Sequence, residues 1–252
     1  MSALLNAIRI LSCFSEAEPE LRLMEISRRM GLSKSHTHRL LATLLEEGLL
    51  KRDPKAAKYQ LGLRLFQMGR LAVAGFDPPA WPAMQELARI TNETVLLGVP
   101  DDCEVVFLQQ VLSPHTLRVD PGPTWRGPLT RTVTGRAILA WQPEDEIRRV
   151  MRHDKIESDE AERFRLGLDE VQERGVALSQ PQSRSAIRAV AAPLFNENGV
   201  ATGALTVAAP AQRLASAQVP HLAQLVMRTA KELSGQLGHW ELSAAARRER
   251  IR

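Results

Sequence analysis

The chain has 252 residues, 44% of them hydrophobic and 25% charged, with a formal net charge of +4. That is enough to bury one large core or two modest ones. No apolar run reaches the roughly 20 residues that cross a bilayer, Asn6 and Arg9 interrupt the apolar amino terminus, and two cysteines cannot build a disulfide framework or a cysteine-rich zinc site. A soluble, cytoplasmic protein without a metal, cofactor or membrane partner is therefore expected. Residues 1–75 hold 12 Lys/Arg against 7 Asp/Glu, whereas residues 76–240 hold 17 against 20. A basic first third on an acidic body suits a chain of which one end approaches phosphates.

Leu4, Leu5, Ile8, Leu11 and Phe14 recur at helical spacing, which predicts a helix over 3–14 capped by Ser2. A second helix over Met24–Met30 buries Leu23, Ile26 and Met30 and ends at Gly31, a residue that accepts the left-handed conformation. Ser33 then caps a third helix, Lys34–Glu47, closed by Gly48. On its wheel Thr37, Leu40, Leu41, Leu44 and Leu45 share one side. Ser35, Arg39 and Glu46 lie opposite, flanked by His36, His38 and Thr43. A guanidinium, hydroxyls and imidazoles on the first two turns are what reads base edges in a major groove, so Ser35, His36, Thr37, His38 and Arg39 are the expected readers of double-stranded DNA.

Leu49–Arg52 and Tyr59–Leu61 around Asp53-Pro54 predict a hairpin whose basic tip suits phosphate contact. Lys51, Arg52, Lys55 and Lys58 are the phosphate candidates there, with Lys34 from the helix. Residues 62–74 read as a connecting helix, which Phe76-Asp77-Pro78-Pro79 interrupts.

Beyond it a helix over Ala80–Ile90 precedes three strands, Glu93–Val99, Glu104–Val111 and Thr116–Val119, in an antiparallel meander. The stretch "GPTWRGP" reads as a turn-rich linker rather than a phosphate cradle. "LTRTVTGRAILAW" predicts a short buried helix, followed by helices over Pro143–Met151 and Ser158–Arg174. Strands Ala186–Phe195 and Ala201–Ala208 and a final helix over Ser216–Leu237 complete an α+β pattern. Cys103, His115 and Asp120 could be drawn into a thiol catalytic set, but Asp101, Asp102 and Glu104 beside Cys103 would suppress its thiolate, so no enzyme is expected.

Leu21–Gly69, and above all "MGLSKSHTHRLLATL" and "YQLG", resembles the winged helix-turn-helix of the IclR family of transcription regulators. "ELARITNETVLLGV", "VVFLQQVLSPHTLRV", "LTRTVTGRAILA" and "IRAVAAPLFNENGVATGALTVAAP" resemble its GAF-like sensor domain, so the likeness covers about residues 4–237. It implies two α+β domains: a mostly helical winged helix-turn-helix over 1–61 and a GAF-like effector domain with an antiparallel sheet over 78–240. A linker helix over 62–77 joins them, and 241–252 form a basic tail. It also implies a homodimer or homotetramer on a palindromic operator. The effector contacts it implies are Val133, Thr134 and Gly135 from the short helix and Ser179, Ile187, Ala189, Thr206 and Ala208 from the strand side.

Such a site suits a small organic acid, for which Arg131, Arg184 and Arg188 are candidate cations. The chain departs from the family at Met24, where a small polar helix cap is common, and at Ser179, Gln180, Gln182 and Ala189, which replace acids and a thiol. Less negative charge at the rim favours an anionic effector. The rival reading is a sensor that acts through a protein partner.

Overall fold

The computed structural model describes residues 2–15, 17–72, 77–122, 125–179 and 186–236. Gln180, Gln182, Arg184 and the basic tail of the sequence reading lie outside them. The chain divides into two compact units, Met1–Ala74 and Gly75–Arg252.

In the first unit, α1 (Ala3–Leu11) begins at Ser2, whose Oγ accepts from the Leu5 N–H at 3.2 Å. It stops three residues short of the expected 14, with a turn at residues 12–13. A two-residue strand, β1 (Leu21–Arg22), precedes α2 (Leu23–Met30). The cap of α2 does not depend on residue 24: the Glu25 carboxylate reaches back to accept from the Arg22 N–H at 2.6 Å. Met24 stands 56% exposed, so its departure from the family's polar residue leaves this helix start supported. Gly31 takes φ 64°, and a tight turn delivers Ser33, whose Oγ accepts from the His36 N–H at 3.3 Å to open α3 (Lys34–Glu46).

The hairpin β2 (Leu50–Asp53) and β3 (Lys58–Leu61) follows, and β1 completes a sheet of order β1-β3-β2 before α4 (Leu63–Ala72). One core of Ile10, Leu21, Ile26, Met30, Leu40, Leu41, Leu44, Leu50 and Tyr59 ties three helices to the hairpin. The strand β1 was not expected, because two residues carry no period.

The second unit starts with α5 (Asp77–Thr91), three residues earlier than predicted. Pro78 and Pro79 fall in its first turn, where a missing N–H leaves no broken bond. Then come β4 (Thr94–Asp101), β5 (Glu104–Val111), β6 (Arg126–Pro128), α6 (Val133–Leu139), α7 (Glu144–His153), α8 (Ser158–Arg174) and β7 (Ala177–Leu178). The unit closes with β8 (Ile187–Phe195), β9 (Ala201–Pro210), a 3-10 turn at Ser216–Gln218 and α9 (Val219–Gln236). The antiparallel sheet has the order β6-β5-β4-β9-β8-β7.

Two expectations fail here. Thr116–Val119 forms no strand; backbone carbonyls of this segment are held by side chains instead, Val119 O by Thr94 Oγ1 at 2.7 Å and Leu117 O by Arg213 at 2.7 Å. The place beside β5 goes to β6, drawn from the stretch read as a linker, with Glu104 opposite Pro128. Gly127 lets Trp125 fold back and stack on Phe107, ring centroids 5.0 Å apart.

Both faces of the sheet are covered. Val95, Leu97, Val190, Leu194, Leu205 and Val207 pack under α5 and α9, while Val105, Ala191 and Ala204 meet α6, itself backed by α7 and α8. α6 lies close because Gly135 touches the main chain at Leu129: a Cβ there would stand 2.1 Å from the Leu129 carbonyl oxygen. Gly135→Ala is therefore expected to displace α6 and cost about 1–3 kcal/mol. Differential scanning calorimetry checks this: the Tm falls by several degrees, and an unchanged Tm would refute the contact.

Candidate functional site

The first candidate site is the outer side of α3. Leu40, Leu41 and Leu44 face the core, which leaves Lys34, Ser35, His38 and Arg39 exposed. His36 is half-buried; its Nδ1 lies 3.4 Å from the Arg39 guanidinium and its Nε2 is buried without a hydrogen-bond partner. Thr37 must be removed from the expected readers of DNA. It is 0% exposed, and its hydroxyl donates to the Ser33 carbonyl at 3.1 Å, so it locks the first turn of α3 instead of meeting a base.

The wing is shaped by Asp53, whose Oδ1 accepts from the Lys55 and Ala56 N–H groups at 2.8 and 3.3 Å. Lys51, Arg52 and Lys55 stand exposed on it, and the Arg52 guanidinium lies 5.7 Å from the centre of the Tyr59 ring. Lys58 differs from the other expected phosphate contacts. Its ammonium pairs with Glu20 at 3.1 Å, and the same carboxylate accepts from Gln60. Part of the Lys58 charge is thus spent inside the unit, holding β3 to the segment before β1.

The second site lies on the α6 side of the sheet. Leu96, Ala189 and Ala208 form a small apolar floor with half-buried Phe107, Val119 and Val133 around it. Thr134 and Thr206, both buried, share a hydrogen bond of 2.8 Å between hydroxyls beside that floor. Ser179 contributes through its hydroxyl, which accepts from the Ala189 N–H and donates to the Ala189 carbonyl at 2.5 and 3.2 Å. Ile187 shares the face of Ala189 by strand alternation and is 44% exposed, which puts it at the rim. Val133, Thr134, Ser179, Ala189, Thr206 and Ala208 are thus brought together, whereas Gly135 lies against the main chain of Leu129.

Arg188 is not among them. It alternates to the opposite face, the one that carries Val190, where its guanidinium donates to the Leu214 carbonyl at 2.7 Å. Arg131 is exposed just before Thr132, the cap of α6. Sequence reasoning missed Leu96, Phe107 and Val119. Alternation within β4 and β5 could have offered the first two, but Val119 sits on irregular backbone that no period reports.

That irregular segment is fastened over the floor. Arg213 makes a bidentate pair with the nearly buried Glu93, at 2.6 and 2.7 Å, while its remaining arm holds Leu117. Arg136, also missed, is half-buried on α6 and donates to the Leu178 carbonyl at 2.8 Å. Burial holds its pKa below the ordinary arginine value.

Cys103 is 2% exposed, 3.4 Å from Arg149 and 3.8 Å from Asp102. Its thiol is pushed up, chiefly by burial; Arg149 opposes this, and Asp102, of the acids named in the sequence reading, adds a smaller upward push together with Asp154 and Glu146. Among the described residues no cluster of three metal-ligating side chains occurs, and no helix is long and apolar enough to cross a membrane.

These two sites can be set against known proteins. Residues 3–54 match the IclR helix-turn-helix domain, and residues 77–235 match the bacterial transcriptional regulator IclR C-terminal domain. The HTH-type transcriptional regulator KdgR of Escherichia coli (strain K12) is 29% identical over 247 residues, covering 95% of this chain and 94% of that one. The IclR of Thermotoga maritima superposes with a TM-score of 0.77 at 21% identity, over 94% of this chain and 98% of that one. An IclR homolog from Microbacterium hydrocarbonoxydans, complexed with 4-hydroxybenzoate, gives 0.76 at 22% identity, over 94% and 99%. Named relatives of this chain are transcriptional regulators. The chain belongs to the IclR family of DNA-binding transcription regulators.

Proposed function

We propose that this regulator binds a specific operator through α3 and the wing, and that a small organic acid held on the sheet of the second unit modulates that binding. The observation that carries the first half is the division of α3 into a buried stripe and an exposed side bearing Ser35, His38 and Arg39, with His36 beside them. Bases are read by such side chains, and Lys34, Lys51, Arg52 and Lys55 supply salt-sensitive attraction to phosphates. Residues 1–61 are the DNA-binding domain in this reading, 62–77 the linker and 78–240 the effector domain of a cytoplasmic protein.

Leu4, Leu5 and Ile8 on α1, and Leu63, Phe66 and Leu71 on α4, stand exposed. Their exposure supports a dimer or tetramer in which copies would cover them and set two α3 helices on successive major grooves. For the effector, the small apolar floor flanked by hydroxyls supports a compact ligand, and the relative complexed with 4-hydroxybenzoate supports an acid. Ligand binding shifts operator affinity only by as much as it distinguishes the two arrangements of the protein.

Three outcomes are expected in fluorescence anisotropy titrations. Arg39→Ala weakens operator binding by about 1–3 kcal/mol and relaxes preference at one base position. Thr37→Val leaves base preference intact; a changed preference would return Thr37 to the reading surface. Lys55→Ala weakens binding to all sequences alike and reduces the salt slope by about one.

A further inference from the structure

Arg136 presents an electrostatic problem that the described residues do not solve. A guanidinium has five N–H donors and is always charged. This one is half-buried, yet its one hydrogen bond among the described residues goes to the Leu178 carbonyl, and no Asp or Glu pairs with it. Of the other guanidiniums partly withdrawn from solvent in this unit, Arg149 is compensated by Glu146 and Asp102, Arg165 by Glu144 and Arg213 by Glu93, while Arg188 donates to both the Leu214 carbonyl and the Ser216 hydroxyl. A desolvated charge without a counter-charge is costly, and such groups concentrate where a ligand completes them.

The position of Arg136 indicates which ligand. Leu178 is followed by Ser179, whose hydroxyl bonds both main-chain groups of Ala189 on the apolar floor. Val133, three residues earlier on α6 and so on the neighbouring turn of the same helix side, packs against that floor. Of the cations expected from sequence, Arg188 faces the other side of the sheet, Arg131 stands in solvent and Arg184 lies outside the described residues.

We propose that Arg136 is the charge partner of the effector, taking a carboxylate or equivalent oxyanion on its spare N–H donors while the rest of the ligand lies on Leu96, Ala189 and Ala208. This rests on the sensor reading above and assigns the acid group a place within it. Its bond to Leu178 orients the guanidinium, and anion binding supplies the missing negative charge. Burial strengthens that attraction, because little water remains to screen it.

The test compares matched pairs of probes, benzoate with benzamide and 4-hydroxybenzoate with 4-hydroxybenzamide, by calorimetric titration of the full chain. Wild type is expected to prefer the carboxylates, and Arg136→Met to lose roughly ten- to hundredfold of that preference. Arg136→Lys, which retains a point charge without the fork, is expected to recover part of it. A cooperative thermal transition of the full chain and an unchanged far-UV circular dichroism spectrum in all three proteins show that the variants fold. If Arg136→Met still distinguishes acid from amide as wild type does, Arg136 merely props β7 and the inference is overturned while the sensor reading stands. If wild type binds neither member of any pair, this inference and the organic-acid reading are both wrong.

Discussion

Consecutive residues of β8 point to opposite faces of a sheet that is covered on both sides, and this alternation decides which side chains of β8 meet α6 and which meet α9. Ala189 faces α6 beside Leu96 and Ala208; Arg188, one residue earlier, is carried under the other face to the Leu214 carbonyl. A register slip of one residue would exchange them. The pairing of Ala189 with Ala208 and of Ala191 with Thr206 holds that register, and the Thr134–Thr206 hydrogen bond then places α6 against it.

The first unit depends on the same logic with a different period. Leu40, Leu41 and Leu44 bury one stripe of α3, so the opposite side is presented whatever its chemistry. Thr37 belongs by position to the stripe, and its hydroxyl is satisfied locally by the Ser33 carbonyl. Polarity alone suggested a surface role for it; geometry gives it a structural one. Lys58 makes a related point, since a cation counted towards the phosphate surface is partly neutralised by Glu20 within its own unit.

The two units differ in how they display polar groups. One presents exposed donors on α3 and the wing around a small apolar core. The other carries, on the α6 side of its sheet, a buried hydroxyl pair, a half-buried serine bonded to main chain and a half-buried guanidinium short of a counter-charge. A buried polar group that is incompletely satisfied responds to a small molecule more strongly than an exposed one, because solvent neither screens it nor competes for it.

Long periodic elements were legible from the amino acids alone: the helix-turn-helix with its caps at Ser33 and Gly31, α8 to the residue, and β5, β8 and β9 to within two residues. Their signals are local, in spacing, caps and turn residues, and so survive without knowledge of neighbours. Strands too short to show a period, β1, β6 and β7, and the anchored segment through Val119 came only from tertiary contacts. So did the separation of Arg188 from the floor and the half-burial of Arg136 beside the Leu178 carbonyl, because which face a charge takes, and what lies across from it, is decided by pairing between strands and helices far apart in the chain.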